Sequence, residues 1–245
     1  MLVREAMGNI RFRHQNKTEN ERWQEDILVS HAFGRIEEYS YTNSLEAFES
    51  NYAKGHRTFE VDLYLTKDNK VVLAHDWAHA ASVQKQVWTE VMPPMEDEFK
   101  GAKIYNKFTP LSYIELLQLM KAYPDIWIIT DTKYTDKERV EIQFHYMVDI
   151  AISLGMKDVL NRLIIQIYNE EMYKVVKTIY PFRSYIFTLY QRWHGNKEEL
   201  EEICRWCMEE GINVITMAIS LYSVDSQQIA NRFGIDNMYI QKMML

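Results

Sequence analysis

Two acids separated by one residue occur in Phe59-Glu60-Val61-Asp62-Leu63. Alternation along an extended strand puts Phe59, Val61 and Leu63 on one face, and Glu60 and Asp62 on the other, about 7 Å apart. Ile129-Thr130-Asp131-Thr132-Lys133 repeats the device, with Asp131 and Lys133 on a shared face. Carboxylates aimed into an interior are costly unless something cationic compensates them. Three of them offer hard oxygen donors of the kind that hold Mg²⁺ or Ca²⁺. A metal-free network, in which Lys133 and arginines neutralise the acids, fits the spacing equally well. Two histidines stand near these acids in the pattern. His31 falls at the end of the apolar run Ile27–Ala32, and His75 precedes Asp76 at the end of Val71–Asp76. Imidazole titrates near neutrality, so a histidine pair at strand ends can divide general-acid and general-base work. A lone histidine there is more often a hydrogen-bonded core residue; two beside three acids shift that balance.

Other candidates carry less. Gln166 and Tyr168 share the inward face of their strand and suit substrate contact or core filling alike. Trp77, directly after His75-Asp76, either flanks a substrate entrance or packs beneath the segment that follows. His75 and His79 have the spacing of a helical zinc pair, but no HExxH surrounds them. Cys204 and Cys207 form a CxxC inside a helical pattern with no second pair, which reads as a plain helix face. Glu198–Glu202 reads as a solvated surface near a helix N-terminus.

These residues need a scaffold, and the chain supplies an alternating one. Strand candidates are Ile27–Ala32, Phe59–Thr66, Val71–Asp76, Ile126–Lys133, Leu163–Tyr168, Tyr185–Tyr190, Val214–Ser220 and Met238–Leu245. Amphipathic helices lie between most of them. One starts near Asn43 or Ser44 and stops at Gly55. Ser112 with Glu115, and Thr135 with Glu138, spell capping boxes. Asn169 and Asn196 are N-cap candidates; Gly155, Gly211 and Gly234 are C-terminal stops. Parallel strands joined by crossover helices follow from this period. Lys67-Asp68-Asn69-Lys70 is too short for a crossover and predicts an antiparallel turn. Residues 77–110 form an excursion over one rim, a lid or substrate-facing loop. One domain over 23–245 follows, preceded by an extension over 1–22. The expected fold is α/β, a TIM-type (β/α) barrel that is incomplete or distorted at its C-terminal end.

Composition narrows the function classes. The chain has 245 residues, 47% of them hydrophobic, with only eight glycines and five prolines, which excludes fibrous and disordered classes. A net charge of −7 argues against a general nucleic-acid partner. Two cysteines cannot build a disulfide framework. Met1 to Trp23 is polar and charged, and no apolar run reaches the length of about 18 residues that spans a bilayer. Stable membrane insertion is therefore not expected. A cytoplasmic location is expected, or a secreted one if a leader has been removed.

The landmarks His31, Thr42-Asn43-Ser44-Leu45-Glu46, Glu60-Val61-Asp62, Thr66-Lys67-Asp68-Asn69 and His75-Asp76 occur in an order that resembles the glycerophosphodiester phosphodiesterase family, related in fold to phosphatidylinositol-specific phospholipase C. The family pattern has His-Arg-Gly, Glu-Asn-Thr, Glu-x-Asp, Thr-Lys-Asp-Gly and a later His-Asp. Ile129–Lys133 resembles its Glu-x-Lys strand, with Asp131 in place of glutamate. The resemblance implies one divalent cation, Mg²⁺ or Ca²⁺, on Glu60, Asp62 and Asp131. It implies His31 and His75 as the acid/base pair and Lys133 on the phosphate. The arginine after the first histidine is Ala32 here, and Arg35 is close enough in sequence to substitute; Asn43 takes the matching amide position. Gln166, Tyr168 and Trp77 complete the candidate substrate contacts.

The activity so implied is metal-dependent hydrolysis of a glycerophosphodiester to sn-glycerol 3-phosphate and an alcohol. Lysophospholipid or phosphoinositide cleavage at the same site, or a barrel that only binds, are its rivals. A glycosidase is disfavoured, because Glu60 and Asp62 project the same way from one strand whereas a glycosidase pair flanks the scissile bond. One strand candidate is only the return arm of a hairpin. The wall is therefore expected to be one strand short, with its seam covered by the N-terminal segment or by a partner in a homodimer.

Overall fold

The computed structural model describes residues 23–24, 29–216 and 224–238. Seven strands form one sheet: β1 (Thr58–Leu65), β2 (Val71–Leu73), β3 (Trp127–Asp131), β4 (Leu163–Ile167), β5 (Ser184–Thr188), β6 (Val214–Thr216) and β7 (Asp236–Met238). Their order is β2-β1-β3-β4-β5-β6-β7, parallel throughout except for the antiparallel β1–β2 hairpin. Among the described residues, eight α-helices connect or flank them: α1 (Leu45–Ala53), α2 (Trp77–Gln84), α3 (Glu96–Gly101), α4 (Tyr113–Ala122), α5 (Lys137–Ser153), α6 (Glu170–Ile179), α7 (Lys197–Glu210) and α8 (Val224–Arg232). None of the described helices is long and apolar enough to cross a membrane.

Alternation sorts each strand into two environments. Phe59, Val61, Ile128, Leu163, Ile165, Phe187 and Ile215 join the core beneath the helices. The opposite faces of β3 to β6 supply Ile129, Ile164, Ile186 and Val214, which close over Trp23 and Val29 in a separate apolar cluster. That cluster is a floor. One alternation further along the same strands, the inward residues become Asp131, Gln166, Thr188 and Thr216, all buried. The interior thus turns from hydrocarbon to polar toward the C-terminal strand ends, where barrel enzymes place their chemistry.

Several helix ends follow the expected chemistry. Ser112 and Glu115 make a reciprocal capping box, and Asn169 and Asn196 cap α6 and α7. Gly211 closes α7 at φ 75°, a left-handed conformation that glycine adopts without a Cβ clash. The Thr135–Glu138 box is not formed. Asp136 is the N-cap instead, accepting from the Arg139 N–H at 3.1 Å and from Arg139 Nε at 2.6 Å. The excursion over 77–110 also differs from an unstructured loop, since it contains α2 and α3.

The expected first strand is represented by Ser30, which bridges Phe59 in parallel. Ser30 N–H donates to Thr58 C=O at 3.1 Å, and Glu60 N–H donates to Ser30 C=O at 3.0 Å. Ala74 N–H reaches Asp62 C=O at 3.1 Å on that same edge of β1. The first segment and the hairpin arm therefore share one edge, the first beside the start of β1 and the second beside its end. The last strand starts two residues before the predicted Met238, paired in parallel with β6. Residues 25–28 and 239–245, on which closure of the wall depends, lie outside the described residues, as do the extension over 1–22 and the last four residues of the Val214–Ser220 candidate.

Candidate active site

The turn after Ser30 is built around backbone torsions that bring an amide to a carboxylate. Ala32 and Phe33 have φ of 51° and 64°, and Gly34 has φ of 87°. A Cβ at Gly34 would come within 2.7 Å of the Asn51 amide nitrogen, which donates to Phe33 C=O at 2.9 Å. The turn directs Ala32 N–H onto Glu60 Oε2 at 2.8 Å. His31 Nε2 lies 3.7 Å from that same oxygen. Ala32 itself is fully buried, and Arg35 is exposed with Nε donating to Glu37 C=O at 2.8 Å. The structure does not bring Arg35 to the acids.

Glu60 and Asp62 within β1 and Asp131 at the end of β3 are all buried. Asn43, held at φ 48°, clamps Asp62 twice: Nδ2 donates to Oδ2 at 2.8 Å, and Oδ1 accepts the Asp62 N–H at 3.1 Å. Lys133 bridges the strands, its ammonium 2.6 Å from Asp62 Oδ1 and also paired with Asp131 Oδ2. Tyr168 donates its hydroxyl to Asp131 Oδ1 and accepts from Gln166 Nε2 at 2.8 Å. A continuous polar chain thus runs from Gln166 through Tyr168, Asp131, Lys133 and Asp62 to Asn43.

The electrostatics follow from this crowding. Burial, then Asp62 and Asp131, push the Glu60 carboxyl well above the usual carboxylate range. Burial acts against the Asp62 carboxylate too, but Lys133 and the Asn43 amide outweigh it and hold its pKa low. Burial alone would lower Lys133; Asp62, Asp131 and Glu60 raise it instead. Burial holds His31 below the ordinary imidazole value of 6.5. The Tyr41 ring meets His31 edge-on at 4.9 Å and approaches His75 at 6.3 Å. His75 Nδ1 pairs with Asp76 Oδ2 at 2.6 Å, while Asp76 Oδ1 caps α2 by accepting the His79 N–H at 2.7 Å. Trp77 is 1% exposed, with its ring against Tyr64, Trp88 and Phe99 beneath the excursion. Of the two places open to Trp77, it occupies the packed one.

The donor set suits a hard cation. Ligand atoms of His31, Glu60 and Asp62 lie within 4.8 Å of one another. Among the described residues, Lys133 is the one ammonium paired within this cluster, and it pairs with Asp62 and Asp131 but not Glu60, so carboxylate charge remains to be balanced. Asp131 faces the same cluster, with both oxygens engaged by Lys133 and Tyr168. Sequence reasoning missed Tyr41 and Tyr190. Desolvation raises the Tyr190 hydroxyl, and the fields of Asp131 and Glu60 raise it further. Tyr190 follows Ile186 and Thr188 at strand spacing, as Tyr168 follows Ile164 and Gln166, a signal that was available. Tyr41 sits in a loop at φ 59° and had none.

Solved structures share this architecture. A glycerophosphodiester phosphodiesterase from Parabacteroides distasonis superposes with a TM-score of 0.64 at 18% identity, covering 86% of this chain and 82% of its own. An Oleispira antarctica phosphodiesterase in complex with its product sn-glycerol-3-phosphate gives 0.64 at 13% identity, covering 87% and 83%. A glycerophosphodiester phosphodiesterase from Agrobacterium tumefaciens gives 0.60 at 15%, covering 86% and 85%. Comparison with curated proteins gives no significant match. The glycerophosphoryl diester phosphodiesterase family model matches residues 34–230, four-fifths of the sequence. The chain belongs to that family, whose members are phosphoric diester hydrolases.

Proposed function

We propose that the protein hydrolyses glycerophosphodiesters to sn-glycerol 3-phosphate and an alcohol, with His31 and His75 as the acid/base pair. The observation that carries this reading is the buried Glu60–Asp62–Asp131 cluster, in which Lys133 bridges Asp62 and Asp131 and two histidines stand around Tyr41. Glu60, Asp62 and Asp131 would hold one divalent cation, Mg²⁺ or Ca²⁺, with His31 at its edge. When bound, the cation neutralises a nonbridging phosphate oxygen and makes phosphorus more electrophilic. Lys133 adds positive charge at the same oxygens. His31, kept neutral by burial, accepts the proton of the attacking hydroxyl. His75, whose Nδ1 is engaged by Asp76, gives a proton to the leaving alcohol from Nε2. The attacking oxygen is the glycerol hydroxyl beside the phosphate. The first step then releases the alcohol and forms a cyclic phosphate, which water opens with the histidine roles reversed.

A panel of glycerophosphodiesters, lysophospholipids and phosphoinositides, run with chelator and then with Mg²⁺ or Ca²⁺ restored, tests the reading. Metal-restored release of sn-glycerol 3-phosphate that vanishes in His31→Ala supports it. Lysophospholipid or phosphoinositide turnover in preference would reassign the head group at the same site. Binding without turnover of any member would leave a binding barrel.

A further inference from the structure

The excursion over 77–110 carries a cluster of exposed apolar side chains on a turn that is held rigid. Val87 is 85% exposed, Val91 91%, Met92 64% and Met95 41%. Thr89 N–H donates to Met92 C=O at 3.2 Å, and Met92 N–H donates to Thr89 C=O and Oγ1, both at 3.1 Å. Pro93 and Pro94 follow at once. At the base of the turn, Trp88 rests against Trp77 and Phe99, with ring centroids 6.2 and 6.1 Å away. Holding aliphatic side chains in water on a preformed turn costs free energy with no return inside the fold. Their association would also lose little ordering entropy.

The charges around the turn are arranged unevenly. Glu90 accepts from Tyr64 OH at 2.7 Å and from Trp77 N–H at 3.4 Å. Glu98 accepts the Met95 N–H at 2.8 Å, and Glu96 pairs with Lys70 at 2.8 Å. Glu96 is ion-paired and Glu90 and Glu98 are tied to neutral donors of the protein, while Asp97, between Glu96 and Glu98, is exposed. Lys85, which ends α2 at φ 57°, is exposed beside Val87 and has no acidic partner among the described residues. Four apolar side chains on one turn are far fewer than the about 20–30 residues a side of a stable protein–protein contact. A lipid surface needs only a few inserted apolar groups and a cation at phosphate level.

We propose that this turn docks the protein reversibly on a phospholipid surface, with Val87, Val91, Met92 and Met95 inserted at the interface and Lys85 among the phosphates. Glu90 ties the turn to Trp77, two residues from His75, so docking holds the site's mouth beside the lipid surface. That last consequence rests on the hydrolase reading; the docking itself does not.

Sedimentation of the full chain with vesicles tests it, using phosphatidylcholine alone and phosphatidylcholine mixed with phosphatidylglycerol. The wild-type chain should co-sediment, and Val91→Asp/Met92→Asp should lower the bound fraction at least about tenfold, with turnover of a soluble glycerophosphodiester unchanged. Lys85→Glu should weaken binding most on the phosphatidylglycerol vesicles. A wild-type chain that stays in the supernatant with both compositions overturns the proposal, as does a double variant that sediments like the wild type. Loss of self-association in the double variant, without vesicle binding by either protein, assigns the turn to a second copy and equally overturns it. Vesicle binding by a protein that turns over no phosphodiester would sink the hydrolase reading and leave the docking standing.

Discussion

The Lys133 ammonium lies 2.6 Å from Asp62 Oδ1 although Asp62 is within β1 and Lys133, 71 positions away, follows the end of β3. The register explains the need for it. Asp62 stands directly opposite Asp131 in the parallel β1–β3 pairing, so two inward carboxylates meet at one level, about 5 Å apart across the sheet. Lys133, two residues past Asp131 at φ 55°, turns back over the strand ends and reaches both. The strained backbone at Lys133 therefore has a clear use: it aims one ammonium at two acids that repel each other.

Lys133→Met should separate folding from charge balance. Removing one partner of a buried ion pair costs about 3–5 kcal/mol. The metal-free variant should therefore unfold at markedly lower urea than the wild type. Mg²⁺ or Ca²⁺ should raise its melting temperature more than that of the wild type, because the cation replaces lost positive charge. Equal metal-induced shifts in the two proteins would show that no cation shares the Lys133 cluster.

Glu60 gives a pH test with a definite sign. Its folded pKa is raised above the ordinary 4.5, so the neutral form is favoured in the native state. The stability this contributes is present below 4.5 and is lost as pH rises through the elevated folded value. Glu60→Gln keeps an acceptor for the Ala32 N–H and removes the charge. In chelator at pH 8 the variant should melt higher than the wild type and show less decline with pH. The same variant should bind the cation more weakly in calorimetry. A metal-free Glu60→Gln protein that melts lower than the wild type at pH 8 would contradict the raised carboxyl.

Much of this site was legible because strand alternation is a strict period. Glu60/Asp62, Asp131/Lys133 and Gln166/Tyr168 each fell on one face by counting in twos, and the structure links the three pairs through Lys133 and Tyr168. Loops gave no such count. Arg35 was close to the missing arginine in sequence, yet the left-handed turn at Ala32 and Phe33 carries it outward to Glu37. Thr135 matched a capping box, but Asp136 offers a charged acceptor that takes both the Arg139 backbone N–H and its Nε–H. Trp23 stood at the end of a polar stretch and the start of the expected domain, and its role as the floor of the interior depends on four strands distant in sequence.

Tyr168→Phe should expose how the polar chain is coupled. The hydroxyl is buried, donates to Asp131 and accepts from Gln166 Nε2. Deleting it leaves a buried amide donor without its partner, at a cost of about 1–3 kcal/mol. Gln166→Met on the Tyr168→Phe background removes that orphan and should recover part of the loss, giving a coupling of about 0.5–3 kcal/mol in a double-mutant cycle. Strictly additive urea midpoints would mean that the two side chains act independently.

Asp76 has two jobs that substitutions can separate. One carboxylate oxygen caps α2 through the His79 N–H, and the other holds His75 Nδ1. Asp76→Asn retains an oxygen for the cap but loses the carboxylate that holds His75 Nδ1. It should leave the melting temperature nearly unchanged while turnover falls. Asp76→Ala loses both functions and should add a cap penalty of about 0.5–2 kcal/mol. His75→Ala should lower turnover by about 10²–10⁴. Asp76→Asn on that background should cost little more, because the carboxylate acts through the imidazole it orients. A full further loss in the double variant would place Asp76 in direct contact with the reacting groups instead.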